Sequence, residues 1–261
     1  MSEYLPDSAY IYIYIFFAVV GSLIGSFLNV VIARLPVKGK FLSESRSKCP
    51  ACGHTIRWYD LFPVISWIVL LGRCRDCKTR ISVRYPIVEA AGAFFAVAGI
   101  WHFGLVPVTV LVYAVTMILL AISLIDYDTS EIPYSLIIAL IPLAIASIWL
   151  FPDVTLLSRF IGLFSIALPM ILISLIKPGA FGGGDINLMA VCGFMLGWQL
   201  ILVAFFIGLV ICGSIAIFFL LSGKRKIGEH IVFGPSLCVG IAVSIYFGNE
   251  ILSWYLSFYG F

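Results

Sequence analysis

"AYIYIYIFFAVVGSLIGSFLNVVI", residues 9–32, holds no charged side chain. A helix rises about 1.5 Å per residue, so about 20 apolar residues cross the hydrocarbon core of a bilayer. The stretch reads as a membrane span. It follows an acidic start, Glu3 and Asp7, where a secretory signal would carry basic residues and a small-residue cleavage site. It is therefore expected to be a retained first span. Further runs of similar character lie at about 84–103, 106–125, 134–151, 158–176, 187–198, 200–221 and 231–258. None alternates with the period of two that a membrane β-barrel needs. Within the last part of the chain, Gly193, Gly197 and the polar "GWQ" favour a break between 187–198 and 200–221. Pro142 and Pro169 lie inside expected spans, where proline kinks a helix.

Composition agrees. Of 261 residues, 62% are hydrophobic and 11% charged, against about 25% charged in ordinary soluble domains. A soluble domain of this size has nowhere to hide so much apolar surface. The expected fold is all-α: a polytopic membrane helical bundle of about eight transmembrane helices.

Charge gives the orientation. Cytosolic loops carry an excess of Lys and Arg. With the N-terminus outside, the inner loops are 33–84, 126–133, 177–186 and 222–230, and they hold every Lys and Arg except Arg159. The "KRK" at 224–226 then serves as a topology anchor, and Trp254, Tyr255 and Tyr259 fit an interfacial aromatic belt. The net charge of +3 is accordingly a topology signal that also suits anionic lipid headgroups, and no nucleic-acid partner is implied.

The first inner loop is long and bears "CPACGH" at 49–54 and "CRDC" at 74–77. In a Cys-x-x-Cys pair a tight turn aims both sulfurs at one point, and two pairs complete a tetrahedron around Zn²⁺. A reducing cytosol disfavours disulfides. Cys49, Cys52, Cys74 and Cys77 are thus the expected ligands of a structural zinc site, with His54 a neighbour. Cys192, Cys212 and Cys238 fall inside spans and read as small buried apolar residues.

Two carboxylates stand at span ends on the inner side. Asp126 follows an apolar run in "AISLIDYDTSEIP", residues 121–133, and Asp185 follows three glycines in "KPGAFGGGDINLMAV", residues 177–191. Charges so placed are costly and point to function. Carboxylates meeting at one depth form the couple of an aspartic protease, one acting as base on a water and the other polarising the peptide carbonyl. The glycines permit unusual backbone angles and the close approach of a substrate. On these residues alone, Asp185 as a helix N-cap is an equal reading. Asp128 and Glu131 compete with Asp126 but lie farther into the loop.

Together these residues resemble the bacterial type IV prepilin peptidases, membrane aspartic proteases of the GxGD group. "GGGD" at 182–185 matches the Gly-x-Gly-Asp motif, and Asp126 through Ile132–Pro133 matches the first catalytic motif. "GSFLNVVIARLP" at 25–36, the two cysteine pairs, "RYPIVE" at 84–89 and "FGPSLCVG" at 233–240 are similar to further family segments, in the family's order. The resemblance implies that Asp126 and Asp185 are catalytic. It implies removal of the short basic leader of prepilins or pseudopilins after a glycine at the cytosolic membrane face. Many members also methylate the new N-terminal amine with S-adenosylmethionine. No Rossmann-type glycine loop is present, so a methyltransferase site is expected in residues 1–103, the first two spans with the zinc loop at 34–84, and the protease in residues 104–261. Asn29, Arg34 and Glu89 are candidate contributors to cofactor binding. Asn29 reads equally as an interhelical hydrogen bond, Glu89 as a partner for Arg84 or a neighbouring span, and Arg34 as a charge anchor. Glu44, Asp60 or Asp76 are candidates to receive the basic leader. The alternatives are an intramembrane aspartic protease without methylation and a carboxylate-based proton-coupled transporter; in the latter the acids would sit at the midplane, not at one face. The expected location is a bacterial inner membrane, and the oligomeric state is open.

Overall fold

The computed structural model describes residues 7–37, 47–223 and 232–258. Glu3, Glu44, the basic triplet at 224–226 and Tyr259 lie outside them. The described residues fold as helices: α1 (Asp7–Arg34), α2 (Ile65–Val69), α3 (Arg84–Phe103), α4 (Pro107–Thr129), α5 (Tyr134–Leu150), α6 (Leu156–Ser165), α7 (Ala167–Ile176), α8 (Gly183–Leu196), α9 (Trp198–Leu221) and α10 (Gly234–Ser257). Six are long and apolar enough to cross a membrane if α6 and α7 are taken as one bent rod. The spans expected at 134–151 and 187–198 correspond to α5 and α8, which are apolar but shorter. Among the described residues the expected eight therefore correspond to six apolar segments long enough to cross a membrane and two shorter apolar helices.

The breaks have local causes. Pro169 has no N–H, and its ring crowds the carbonyl of residue 165; α6 ends at Ser165. Pro142 stays inside α5. Gly197 takes φ +80° between α8 and α9, a conformation that favours glycine, so the expected break falls there.

The chain forms two compact units, Met1–Thr109 and Val110–Phe261. In the first, α1 packs against α3 backbone to backbone. A Cβ on Gly21 would strike the Gly92 carbonyl and lie 2.8 Å from Ala96 Cβ; one on Gly25 would lie 2.7 Å from the Val88 carbonyl. Small residues four apart let membrane helices approach this closely, and dispersion then holds them without a hydrophobic drive. In the second unit, α4, α5, α8 and α10 supply the buried core, including Ile122, Ile125, Leu140, Leu188, Met189, Leu237 and Ile241. The outer face of α9 is apolar and exposed at Phe206, Val210 and Ile217, the surface a lipid-facing helix needs.

Candidate active site

Asp126 and Asp185 both lie within helices. The sequence placed Asp126 in a loop, but α4 runs one turn further, to Thr129. Ser130 closes the helix at φ +56°, its N–H donating to the Asp126 carbonyl at 2.7 Å. Asp126 is only 5% exposed, whereas Asp128 and Glu131 are exposed, so burial separates the first carboxylate from its competitors. Asp185 sits half-buried in the first turn of α8. Gly182 is the N-cap of that helix, which excludes Asp185 as the cap. A carboxylate in a first helical turn is favoured by the partial positive charge of the unpaired N–H groups.

Three contacts draw the two helix ends together. A Cβ on Gly184 would lie 2.7 Å from Ile132 Cβ, so the glycine run rests on the segment that follows Asp126. A Cβ on Gly234, the first residue of α10, would collide with Asp126 Oδ2 and come 2.9 Å from its Cγ. The N-terminus of α10 thus abuts the Asp126 carboxylate, where the helix dipole favours an anion. Phe181, just before the α8 cap, meets Phe233, just before α10, with ring centroids 6.0 Å apart. Cys238, one turn inside α10, lies within electrostatic reach of both Asp126 and Asp185. Cys192 and Cys238 are buried and Cys212 is half-buried, as small apolar residues would be. Sequence reasoning did not assign Gly234 or Ile132 to the site. The only signal was their membership in the "FGPSLCVG" and Asp-to-Ile-Pro segments.

The cysteine loop folds as two matched turns. Cys49 N donates to the His54 carbonyl at 2.9 Å and Gly53 N to the Cys49 carbonyl at 2.9 Å; in the second turn Cys74 N donates to Thr79 at 2.8 Å and Lys78 N to Cys74 at 3.1 Å. Gly53 and Lys78 occupy equivalent left-handed positions, φ +71° and +58°. An isolated antiparallel bridge closes each, Lys48 with Thr55 and Arg73 with Arg80. The four sulfurs lie within 4.8 Å of one another, with Cys49 and Cys77 at 3.8 Å. Zn–S bonds of about 2.3 Å in a tetrahedron put sulfurs about 3.8 Å apart, so the cluster fits a structural zinc ion. Hydrogen bonding to Thr79 lowers the Cys77 thiol to about 6. At Cys52 a backbone hydrogen bond involving His54 favours the thiolate, but desolvation and the neighbouring sulfurs outweigh it and push the thiol up to about 11. A divalent cation would take both as thiolates. His54 is exposed and contributes no atom to the cluster.

Asp60 and Asp76 have partners in the same loop. Arg75 grips Asp60 with both arms, Nη2 to Oδ1 at 2.6 Å and Nε to Oδ2 at 2.9 Å, and this hydrogen bonding lowers the Asp60 carboxyl below its usual range. Arg57 pairs with Asp76 at 3.6 Å. These two acids brace the loop and are poor candidates to receive a basic leader. In the first unit Asn29 is buried and donates to the Tyr85 carbonyl at 3.1 Å across α1 and α3, the interhelical reading. Glu89 accepts from Val64 N at 2.7 Å, where the sequence suggested Arg84 or a neighbouring span. Val64 takes φ +61°, a conformation a β-branched residue adopts only when its surroundings enforce it. Arg34 stands in the last turn of α1.

An all-helical membrane bundle with a buried carboxylate at one helix end and a carboxylate-bearing helix start packed on the segment that follows it is of the class that suits acid–base hydrolysis. Comparison with known proteins narrows this. Residues 19–103 match the Bacterial Peptidase A24 N-terminal domain and residues 113–217 the Type IV leader peptidase family. Curated relatives named prepilin leader peptidase/N-methyltransferase include one from Stutzerimonas stutzeri, 34% identical over 92% of both chains. One from Pseudomonas putida is 31% identical over 93% of both, and one from Bacillus subtilis 30% identical over 90% of this chain and 95% of the relative. No solved structure matches. The chain belongs to the type IV leader peptidase family.

Proposed function

We propose that this protein is a membrane aspartic endopeptidase that removes the short basic leader of prepilins or pseudopilins after a glycine at the cytosolic membrane face, and then N-methylates the new terminus. The observation that carries the proposal is the meeting of two helix ends. The buried Asp126 lies under the start of α10, and the first turn of α8, bearing Asp185, rests on Ile132. Membership of the peptidase family supplies the substrate class.

In this reading Asp126 and Asp185 act as a coupled pair. Two close carboxylates share a proton, so one is an acid and the other a base at the same pH. The ionised partner takes a proton from water as it attacks the peptide carbonyl, while the protonated one donates to the carbonyl oxygen; the proton taken from water then passes to the leaving amine, and a hydroxyl proton of the tetrahedral intermediate returns to the other carboxylate. Each carboxylate lies at a helix N-terminus, Asp126 against the start of α10 and Asp185 in the first turn of α8, and both positions suit an anion. Gly182 and Gly183 place no side chain beside Asp185, while Gly184 lets the start of α8 rest on Ile132.

Cys49, Cys52, Cys74 and Cys77 would hold a zinc ion whose chemistry is structural, since four thiolates close its coordination. S-adenosylmethionine would supply the methyl group. Of the residues suggested for it, Asn29 uses its amide between α1 and α3. Glu89 has the charge that suits a sulfonium, and Arg34 the charge that suits the cofactor's carboxylate. We place the methyltransferase part in residues 1–103, the protease part in residues 104–261, and the N-terminus outside, with both sites on the cytosolic side of a bacterial inner membrane.

The test is to incubate the purified protein with a prepilin, with and without S-adenosylmethionine, and to weigh the products by mass spectrometry. The expected result is a cut after glycine, plus one methyl group when the cofactor is present. Failure to cut any of several prepilins would overturn the reading.

A further inference from the structure

Arg159 is the single Lys or Arg outside the inner clusters, and it is 0% exposed. A topology anchor would reach water; this guanidinium does not. Nε donates to the Val154 carbonyl at 3.2 Å. Nη1 donates to Ser147 Oγ at 2.7 Å, Met195 O at 3.0 Å and Phe194 O at 3.3 Å. Nη2 donates to Ser147 O and Phe151 O, both at 2.9 Å. All of these acceptors are neutral oxygens.

Those oxygens cluster at the ends of two helices. Ser147 lies in the last turn of α5 and Phe151 just past it, while Phe194 and Met195 are in the last turn of α8. The final carbonyls of a helix lack intrahelical donors and carry its partial negative charge. In a membrane such carbonyls are expensive to leave unmet. One cation therefore caps the C-termini of the two short helices. The local sequence delivers it there: Thr155 caps α6, accepting from Ser158 N at 3.2 Å. One turn beyond Arg159, a Cβ on Gly162 would strike the Gly193 carbonyl and lie 2.7 Å from the Gly197 carbonyl carbon.

The opposite ends of the same two helices form the candidate active site. Asp185 opens α8, and α5 starts directly after the Ile132–Pro133 segment on which Gly184 rests. Asp185 and Met195 are about 15 Å apart along a rigid helix at about 1.5 Å per residue. We propose that Arg159 is a positioning residue for the peptidase: by locking the far ends of α5 and α8 to each other, it sets the depth at which Asp185 faces Asp126. This rests on the peptidase reading above. An error of about 1 Å at a reacting group can cost about 100-fold in rate.

The test compares wild type with Arg159→Lys, which keeps the charge but not the planar fork, Arg159→Met, which keeps the apolar stem, and Ser147→Ala, which removes one acceptor. The readouts are kcat and KM on a prepilin, the pH profile of kcat, thermal stability, and amide exchange in residues 183–188. Expected for Arg159→Lys are a fall in kcat of about tenfold or more, KM within about twofold, a displaced pH profile and faster exchange at 183–188. Ser147→Ala should move the same way by less. A folded Arg159→Lys with a lower Tm but unaltered kcat, KM and pH profile overturns the proposal and leaves Arg159 a stabilising cap only. If both Arg159 variants fail to fold, Ser147→Ala decides by the same readouts. Wild type that cuts no prepilin, with exchange at 183–188 that still answers to Arg159→Lys, overturns the peptidase reading and supports the mechanical link. Cleavage that needs both aspartates but ignores Arg159→Lys does the reverse.

Discussion

Asp126 is surrounded on one side by apolar core and on the other by the first residue of α10, and that packing makes strong demands on single atoms. Asp126→Asn and Asp185→Asn each remove a titratable proton while keeping the side chain's shape. Each is expected to lower leader cleavage by about 10² to 10⁴-fold, while the protein still inserts; mass analysis of the product measures it. Gly234→Ala is a sharper test of the geometry. Its methyl would collide with Asp126 Oδ2, so kcat should fall by about 100-fold with prepilin affinity retained, as a KM comparison would show. The aspartates were legible in the sequence because a carboxylate at the edge of an apolar run stands out by its cost. Asp126 could not be separated from Asp128 and Glu131 by cost alone; the family motif chose it, and its burial agrees. Gly234 was not legible as part of the site, because it meets Asp126 only through packing of segments more than a hundred positions apart, and nothing local marks the contact. Arg159 was legible only as an exception to the charge rule.

At the scale of elements, the cysteine loop shows how short-range chemistry fixes a turn. Each pair bends through one left-handed residue, Gly53 or Lys78, and both turns aim at one center. Elemental analysis is expected to find about one zinc per chain. Cys74→Ser should lose it and lower the melting temperature, because metal binding and folding of such a loop are one equilibrium. The Asp60–Arg75 pair braces the loop from the side. Since the folded Asp60 carboxyl lies below its unfolded value of about 3.9, its contribution is present above that pH and fades as pH falls through the lowered value. Asp60→Asn should therefore destabilise the loop at neutral pH, and the difference from wild type should vanish on acidification, as thermal melts from pH 6 down to 2 would read. The cysteine spacing pointed to the four clustered sulfurs, but the Arg75–Asp60 and Arg57–Asp76 pairs were not legible, because they depend on how the loop folds and not on spacing. Helix ends were less legible: α4 and α8 each extend about a turn beyond the apolar run that announced them, because a carboxylate in a first or last turn scores as loop by hydropathy yet fits a helix electrostatically. Pro142 and Pro169 gave the same signal in the sequence, yet only the span holding Pro169 is interrupted, at Ser165, while α5 runs on through Pro142.

For the whole molecule, orientation is the property still carried by charge alone. A membrane-impermeant amine reagent is expected to label Lys78, exposed in the loop, in inside-out vesicles and not in intact cells; labelling from outside would invert the topology proposed here. Helix length has a further consequence. With 14 and 17 residues, α8 and α5 reach only about 21 and 26 Å, against a hydrocarbon layer of about 30 Å. The difference has to be made up by the lipid, through thinning beside these helices, or by solvent entering above their ends. A hydrolase needs one of its two reactants to be water, and such a shortfall, where it falls at the site end of these helices, would bring water nearer to it in an otherwise oily surrounding. The acyl chains around the protein then become a rate-setting variable: in bilayers of longer lipids, which resist thinning, turnover should slow, while the same protein in thinner bilayers works faster with no change in sequence.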